Sequence, residues 1–380
     1  MKRVYLDYNA TTPVDPAVAE AAAESISNIY GNPSSLHAEG RASKNRLDDA
    51  REPVASLINC LPSELVFTGS GSEANNLAIK GVAEALAGEG RHIISSAVEH
   101  PSVIKTLDYL EGKGWEITRL SVDRAGQIDL AELALALRDD TVLVSLMLAN
   151  NETGVLFPLA EAVRMAHEKG AFFHTDAVQA VGKIDVDVKT LGVDLLSLAG
   201  HKFYAPKGIG ALYVKKGLEL SPIIHGGGQE LGRRAGTEAL SGIAALAKAA
   251  SIAKSVLPAE SERIGGLRDS LKAGLLNSLD GVVFNAEGSP SLPNTLSVSF
   301  SAVNAESLLI SLDLEGFAVS AGSACSSGAL SGSPVLTAMG LDKAVVEGTL
   351  RISLGRWTSK EDVDRFLEVL SSIIERLRKS

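Results

Sequence analysis

Residues 193–210 read VDLLSLAGHKFYAPKGIG. The first seven residues have the length and the Val/Leu content of a buried strand, and the run stops at Gly200. His201 and Lys202 follow at once. In an open α/β sheet, ligands collect just beyond the carboxyl ends of the strands. A lysine at that place suits a Schiff base to a carbonyl cofactor. By position alone, a solvated loop lysine fits as well.

Working outward, the same texture repeats. Short β-prone runs occur at LVFT (65–68), HIISS (92–96), WEITRLSV (115–122), VLVSLMLA (142–149), AFFHTDAV (171–178) and GALYVKK (210–216). Stretches with helical spacing, such as 73–86 and 159–167, lie between most of them. Strand–helix alternation predicts βαβ units and a mostly parallel sheet covered on both faces. GALYVKK follows a short loop and reads as an antiparallel edge strand.

After about residue 256 the pattern changes. A helical stretch (260–279) leads to the alternating strand NTLSVSFS (294–301), a small-residue loop, and a second strand, GTLRISLG (348–355). Thr358 and Glu361 suggest a capping box for a final amphipathic helix, with Val363, Phe366, Leu367, Leu370, Ile374 and Leu377 on its apolar face. The expected division is a large α/β domain over 16–256 and a smaller α+β domain over 1–15 and 257–380.

Bulk properties narrow the function. A net charge of −10 argues against a nucleic-acid backbone as partner. The start, MKRVYLDYNATTP, has no apolar run of signal-peptide length, and windows such as 141–149 fall short of a membrane span. Only Cys60 and Cys325 are present, so no disulfide framework is expected and the setting reads as reducing and cytoplasmic. Cys60 ends a helical pattern and reads as a small buried hydrophobe. Cys325 is different. It sits in SAGSACSSGALSGS (320–333), where twelve of fourteen residues are Gly, Ala or Ser.

Other strand ends carry polar residues of matching chemistry. Asp176 closes AFFHTDAVQA, and a buried acid there is costly without a cationic partner. The pyridinium of pyridoxal phosphate would be such a partner, with Gln179 donating to the ring hydroxyl oxygen. An N-capping Asp is the plainer reading. In LVFTGSGSEANN, Gly69 and Gly71 allow a tight turn, with the N–H groups of Ser72 and Glu73 free for a phosphate. A loose dinucleotide fingerprint also fits that stretch, but HIISS carries no acid for a ribose. His100 precedes Pro101 at a helix start, which disfavours the imidazolium. Asn151 offers an amide in ANNETG. Arg351 in GTLRISLG could pair bidentately with a substrate carboxylate, with Arg356 as competitor.

From YLDYNATTP through FTGSGSEANN, VEHPSV, NNETG, HTDAVQA, GHKFYAPKGIGALY, RRAGTE and SAGSACSSG to RISLGRWT, the chain resembles the NifS/IscS-type cysteine desulfurases. These are fold-type I pyridoxal 5′-phosphate enzymes. The resemblance implies that Lys202 forms the Schiff base, His100 stacks on the ring, and Asp176 faces the pyridinium. Gln179 and Asn151 would be further cofactor contacts. The turn at Gly71 and Ser72, with Gly200 and His201, would hold the phosphate. Thr237 in RRAGTE would reach the phosphate site of a neighbouring subunit, which implies a homodimer. Arg351 would bind the carboxylate of L-cysteine, with Asn151 as a further substrate contact. Cys325 would take the sulfur as a persulfide and pass it to an iron–sulfur scaffold or other acceptor protein. The length of its loop fits this branch better than the SufS branch. No resident metal is implied, although Cys325 is a candidate transient cluster ligand. One position departs from the pattern: where family members carry Ser, three residues before the lysine, this chain has Ala199. The alternatives are a selenocysteine lyase or an aminotransferase of the same fold, and more remotely a non-catalytic scaffold.

Overall fold

The computed structural model describes residues 3–321 and 332–379. Its strands are β1 (Val4–Tyr5), β2 (Leu65–Thr68), β3 (His92–Ser96), β4 (Glu116–Leu120), β5 (Thr141–Ser145), β6 (Phe172–Asp176), β7 (Leu195–Ala199), β8 (Gly210–Val214), β9 (Val282–Phe284), β10 (Thr295–Phe300), β11 (Phe317–Ala318) and β12 (Thr349–Ser353). Seven of them form one sheet in the order β2-β8-β7-β6-β5-β3-β4. The pairs from β4 through β7 are parallel, whereas β8 runs antiparallel to both β7 and β2. The direction of β8 matches the sequence expectation, but it is not an edge. The ten-residue link from β7 leaves no room for a crossover helix, so the chain turns back. β2 then pairs along the far side of β8.

Alternation along β7 shows why the sheet is buried on both faces. Leu195 packs with Ile79, Val103 and Leu212 under the helices Gly71–Ala85 and Pro101–Glu111. Leu196 and Leu198 pack on the opposite side with Leu47, Val54, Val163 and Leu246. A strand with both faces covered has no polar stripe, as its sequence indicates.

A third cluster lies apart. It gathers Val4, Leu6, Leu271, Leu275, Val298, Leu350, Ile352 and Phe366. Here β10 pairs antiparallel with β12 and β9, and β1 pairs parallel with β11. The helix Leu240–Ser278 serves both regions: Ile243 and Leu246 join the large cluster, while Ile264 and Leu271 join the third. It passes residues 256 and 257 unbroken, with Pro258 inside it. Part of this helix is long and apolar enough to cross a membrane, which the windows weighed in the sequence did not reveal. Half of that stretch is buried against the rest of the protein.

The last helix, Lys360–Arg378, starts one residue later than the sequence pattern suggests. Ser359 is its N-cap: its Oγ accepts from the Asp362 N–H, and Asp362 accepts from the Ser359 N–H, both at 3.2 Å. Thr358 is engaged elsewhere, accepting the Gly355 N–H at 3.0 Å to close the turn after β12. Val363, Phe366, Leu370 and Ile374 are buried as expected. Cys60 is partly buried against the large cluster, and burial pushes its thiol up to about 12.

Candidate active site

Asp176 is the last residue of β6 and is 6% exposed. Its Oδ1 accepts the Val178 N–H at 3.0 Å, and its Oδ2 accepts from Asn75 Nδ2 at 2.7 Å. The capping reading of this acid therefore holds, and the carboxylate also faces inward. Among the described residues no Lys, Arg or His forms an ion pair with it. A buried carboxylate with neutral donors alone retains much of its desolvation cost.

Asp176 opens onto a cavity of about 240 Å³ whose walls include Gly71, Ser72, His100, Asn151, Gln179, His201 and Lys202. Seven positions spread over 132 residues of sequence thus share one hollow with the acid. Larger surface hollows, such as that of about 680 Å³ beside Arg51 and Glu230, contain none of them.

His100 is the N-cap of the helix Pro101–Glu111. Its Nδ1 accepts the Ser102 N–H at 3.1 Å, so the neutral ring carries its proton on Nε2. Burial lowers its basicity, Asp176 opposes that effect and Lys202 adds to it. Asn75 ties this ring to the acid. Its Nδ2 donates to Ser102 Oγ at 2.8 Å as well as to Asp176, and Ser102 Oγ lies 2.8 Å from His100 Nδ1.

At the start of the helix Gly71–Ala85, the sequence reading needs one correction. The Glu73 N–H is not free, because the Ser70 hydroxyl accepts it at 3.1 Å as a cap. Gly71 and Ser72 are the first-turn positions left facing the cavity. A Cβ at Gly71 would stand 2.7 Å from Val178 and 3.2 Å from the Ala199 methyl, so glycine is required there. Ala199 lines the same corner.

Gly200–Lys202 forms a single 3₁₀ turn at the end of β7. Gly200 itself is buried behind the cavity, and a Cβ on it would meet Ala205 at 2.8 Å. Lys202 Nζ donates to the carbonyls of Asn9 and Ala10. His201 Nδ1 lies 3.2 Å from Thr11 Oγ1, and burial aided by Lys202 pushes its ring down to about 4. The segment from Asn9 to Asp15 runs along this turn: Thr12 N–H donates to His201 O, Tyr204 N–H to Thr12 Oγ1, and Asp15 N–H to Tyr204 O. Tyr204 is held at φ +72°, strained for a residue with a side chain. Its hydroxyl accepts the Arg356 N–H at 2.7 Å, and the Arg356 guanidinium lies 4.1 Å from the ring centre.

Arg351 on β12 is buried beside Asn151. Its Nη1 donates to Asn151 O at 3.0 Å, and its Nη2 lies 2.7 Å from Asp7 Oδ1. Arg356 is committed to Asp15 and Glu260. Thr237 is exposed and does not line the cavity, although its segment is tied to the helix start through Arg234 and Glu73 at 2.8 Å. Cys325 lies outside the described residues.

Residues 4–366 match the family described as aminotransferase class-V. The chain belongs to that family. Curated proteins similar to it include the cysteine desulfurase IscS of Dictyoglomus turgidum, 48% identical over all of this chain and 96% of the relative. The IscS of Methanosarcina thermophila is 45% identical over 99% of this chain and 93% of the relative. Among solved structures, a NifS-like protein superposes with a TM-score of 0.92 at 39% identity, covering 98% of this chain and 100% of that one. A structure titled SspA in complex with cysteine gives 0.83 at 37% identity over 93% and 99%.

Polar residues at or behind this cavity that were not singled out from sequence include Asn9, Asn75 and Lys183. Asn9 is 1% exposed and joins the two halves of the molecule. Its carbonyl accepts from Gln179 and Lys202, and its side chain reaches Lys183, Asn294, Thr295 and Asn151. The only signal for it was its place inside the YLDYNATTP motif.

Proposed function

We propose that this protein binds pyridoxal 5′-phosphate in the cavity beside Asp176 and acts as a cysteine desulfurase, converting L-cysteine to L-alanine with sulfur delivered to Cys325. Full-length relatives named cysteine desulfurase support the activity. The observation that carries the cofactor is the buried Asp176 carboxylate, 6% exposed and without an ion-pair partner among the described residues, opening on a cavity that also holds a lysine and a helix start. A protonated ring nitrogen would supply the missing charge. The donor set fits the rest of the group: Gly71 and Ser72 at the helix start for the phosphate, Gln179 for the ring hydroxyl, and Lys202 for covalent attachment.

When bound, the cofactor supplies an electron sink for the pair left at the substrate Cα. The remaining work falls to this chain. Asp176 keeps the proton on the ring nitrogen. Arg351 holds the substrate carboxylate next to Asn151. Lys202 Nζ removes the α-proton, and His100, bearing its proton on Nε2, serves as proton carrier across the cavity. The Cys325 thiolate attacks the substrate sulfur, so an S–S bond forms as the Cβ–S bond breaks. The carbon gains a proton to become alanine, and Cys325 leaves as a persulfide. No external oxidant is needed, because the sulfur is oxidised as the carbon is reduced. The persulfide then passes to an iron–sulfur scaffold or another acceptor protein. A homodimer with Thr237 entering the neighbour's phosphate site, and a cytoplasmic setting, complete the reading.

Peptide mass spectrometry of the purified protein before and after L-cysteine, without reductant, tests it. One added sulfur on the Cys325 peptide, absent in Lys202→Ala, is the expected result. Alanine formation without sulfur on Cys325 would overturn the acceptor role. Turnover of selenocysteine but not cysteine would place the chain among the selenocysteine lyases, and amino-group transfer alone would make it an aminotransferase.

A further inference from the structure

Lys183 has no part in the mechanism above, yet it sits one hydrogen bond behind the cavity. Its Nζ lies 2.7 Å from Gln179 Oε1 and 2.9 Å from Asn9 Oδ1. Burial, with the charges of Lys202 and Arg351, pushes its ammonium well below the usual lysine range. Charged or neutral, the amine has at least two N–H groups for these two oxygens.

That contact, together with Asn294 and the Asn9 carbonyl, sets which way two amides face. Asn9 Oδ1 is claimed by Lys183 and by Asn294 Nδ2 at 3.0 Å, so Asn9 Nδ2 turns to Thr295 Oγ1 at 2.9 Å. Gln179 Oε1 is likewise turned to Lys183, which puts its NH₂ group on the other side. One N–H of that group goes to Asn9 O at 2.9 Å. The second is left for the cavity, whose wall Gln179 forms.

We infer that Lys183 is a positioning residue that locks the Gln179 amide with its N–H edge toward the ring hydroxyl oxygen of the cofactor. The inference rests on the cofactor reading proposed above. A fixed donor at that oxygen favours its ionised form, whereas an amide free to turn could present its carbonyl and oppose ionisation. The sense of one amide thus sets the electronic state of the ring.

The test compares wild type, Lys183→Met, Gln179→Ala and the double variant. Two quantities are read: the dissociation constant for pyridoxal phosphate added to the apoprotein, and the pH midpoint of the visible absorption band of the loaded protein. Lys183→Met is expected to weaken binding about tenfold, the loss of one well-placed hydrogen bond, and to move the midpoint upward. The double variant is expected to be no weaker than Gln179→Ala. Gln179→Glu keeps the Lys183 contact but offers no N–H, so it too should raise the midpoint, which preserves the test should Lys183→Met fail to fold. Wild-type affinity and midpoint in Lys183→Met, multiplying losses in the double variant, or an unmoved midpoint in Gln179→Glu would each overturn the inference. A wild-type protein that binds no pyridoxal phosphate overturns the cofactor reading and this inference with it.

Discussion

Arg351 Nη2 lies 2.7 Å from Asp7 Oδ1, and the arginine side chain is 3% exposed. The guanidinium proposed to receive the substrate carboxylate thus already holds a carboxylate of the protein. A planar fork can serve both with fixed bidentate geometry, which the point charge of a lysine ammonium does not reproduce. Arg351→Lys is expected to raise KM for L-cysteine about 10–100-fold with a smaller change in kcat, read from initial rates of alanine formation. Truncation to Ala is a poorer probe, because it would leave Asp7 without its partner at a cost of about 3–5 kcal/mol.

Removing the acid of the cavity should be more severe. Asp176→Ala takes away the charge proposed to keep the ring nitrogen protonated. Turnover is expected to fall about 10²–10³-fold, the scale seen when one preorganised electrostatic group is lost. A variant within threefold of wild type in cysteine turnover would remove Asp176 from the mechanism.

Ala199 offers a change in the opposite direction. Its methyl stands beside Gly71 at the helix start. Ala199→Ser places a hydroxyl at the proposed phosphate corner and should tighten pyridoxal phosphate binding about fivefold, the worth of ~1 kcal/mol. Equilibrium titration of the two apoproteins reads the difference directly. Weaker binding by the serine variant would mean that this corner does not hold the phosphate.

Glu99, next to His100, gives a pH signature of its own. Burial pushes its carboxyl up to about 8 from an ordinary value of 4.5, although Ser96 and the Met147 N–H donate to it. Between those values the folded chain keeps a proton that the unfolded chain has lost. The stabilisation is therefore whole below pH 4.5 and disappears as pH rises through about 8. Glu99→Gln keeps the acceptor oxygen and has no charge to bury. Its Tm relative to wild type should rise from pH 5 to about pH 8 and level off above it, and a pH-independent difference would contradict a protonated Glu99.

Much of this site was legible because each residue closes a run of apolar residues. Asp176 and Lys202 stand at or just beyond strand ends, and His100 stands just before a proline that starts a helix. Period and punctuation identify such places. Asn75 and Asn9 have no such marker. Asn75 sits inside a helix and meets Asp176 from 101 residues away, and Asn9 meets Ser353 from 344 residues away. Lys183 looks like any lysine in a turn until Gln179 and Asn9 are seen around it. The same limit applies to β8, whose direction follows from a short loop but whose outer neighbour β2 comes from far upstream. Capping the last helix at Ser359 rather than Thr358 turned on a competing turn at Gly355, which no local pattern announces.

The knot at Asn9 also sets an order of assembly. Asn9 is made 344 residues before Ser353, whose hydroxyl accepts its backbone N–H. Until that serine is made, the segment that carries the carbonyls gripping Lys202 lacks one of its ties. A nascent chain stalled before β12 therefore holds that segment less firmly. The grip on Lys202 is complete only once β12 has been made.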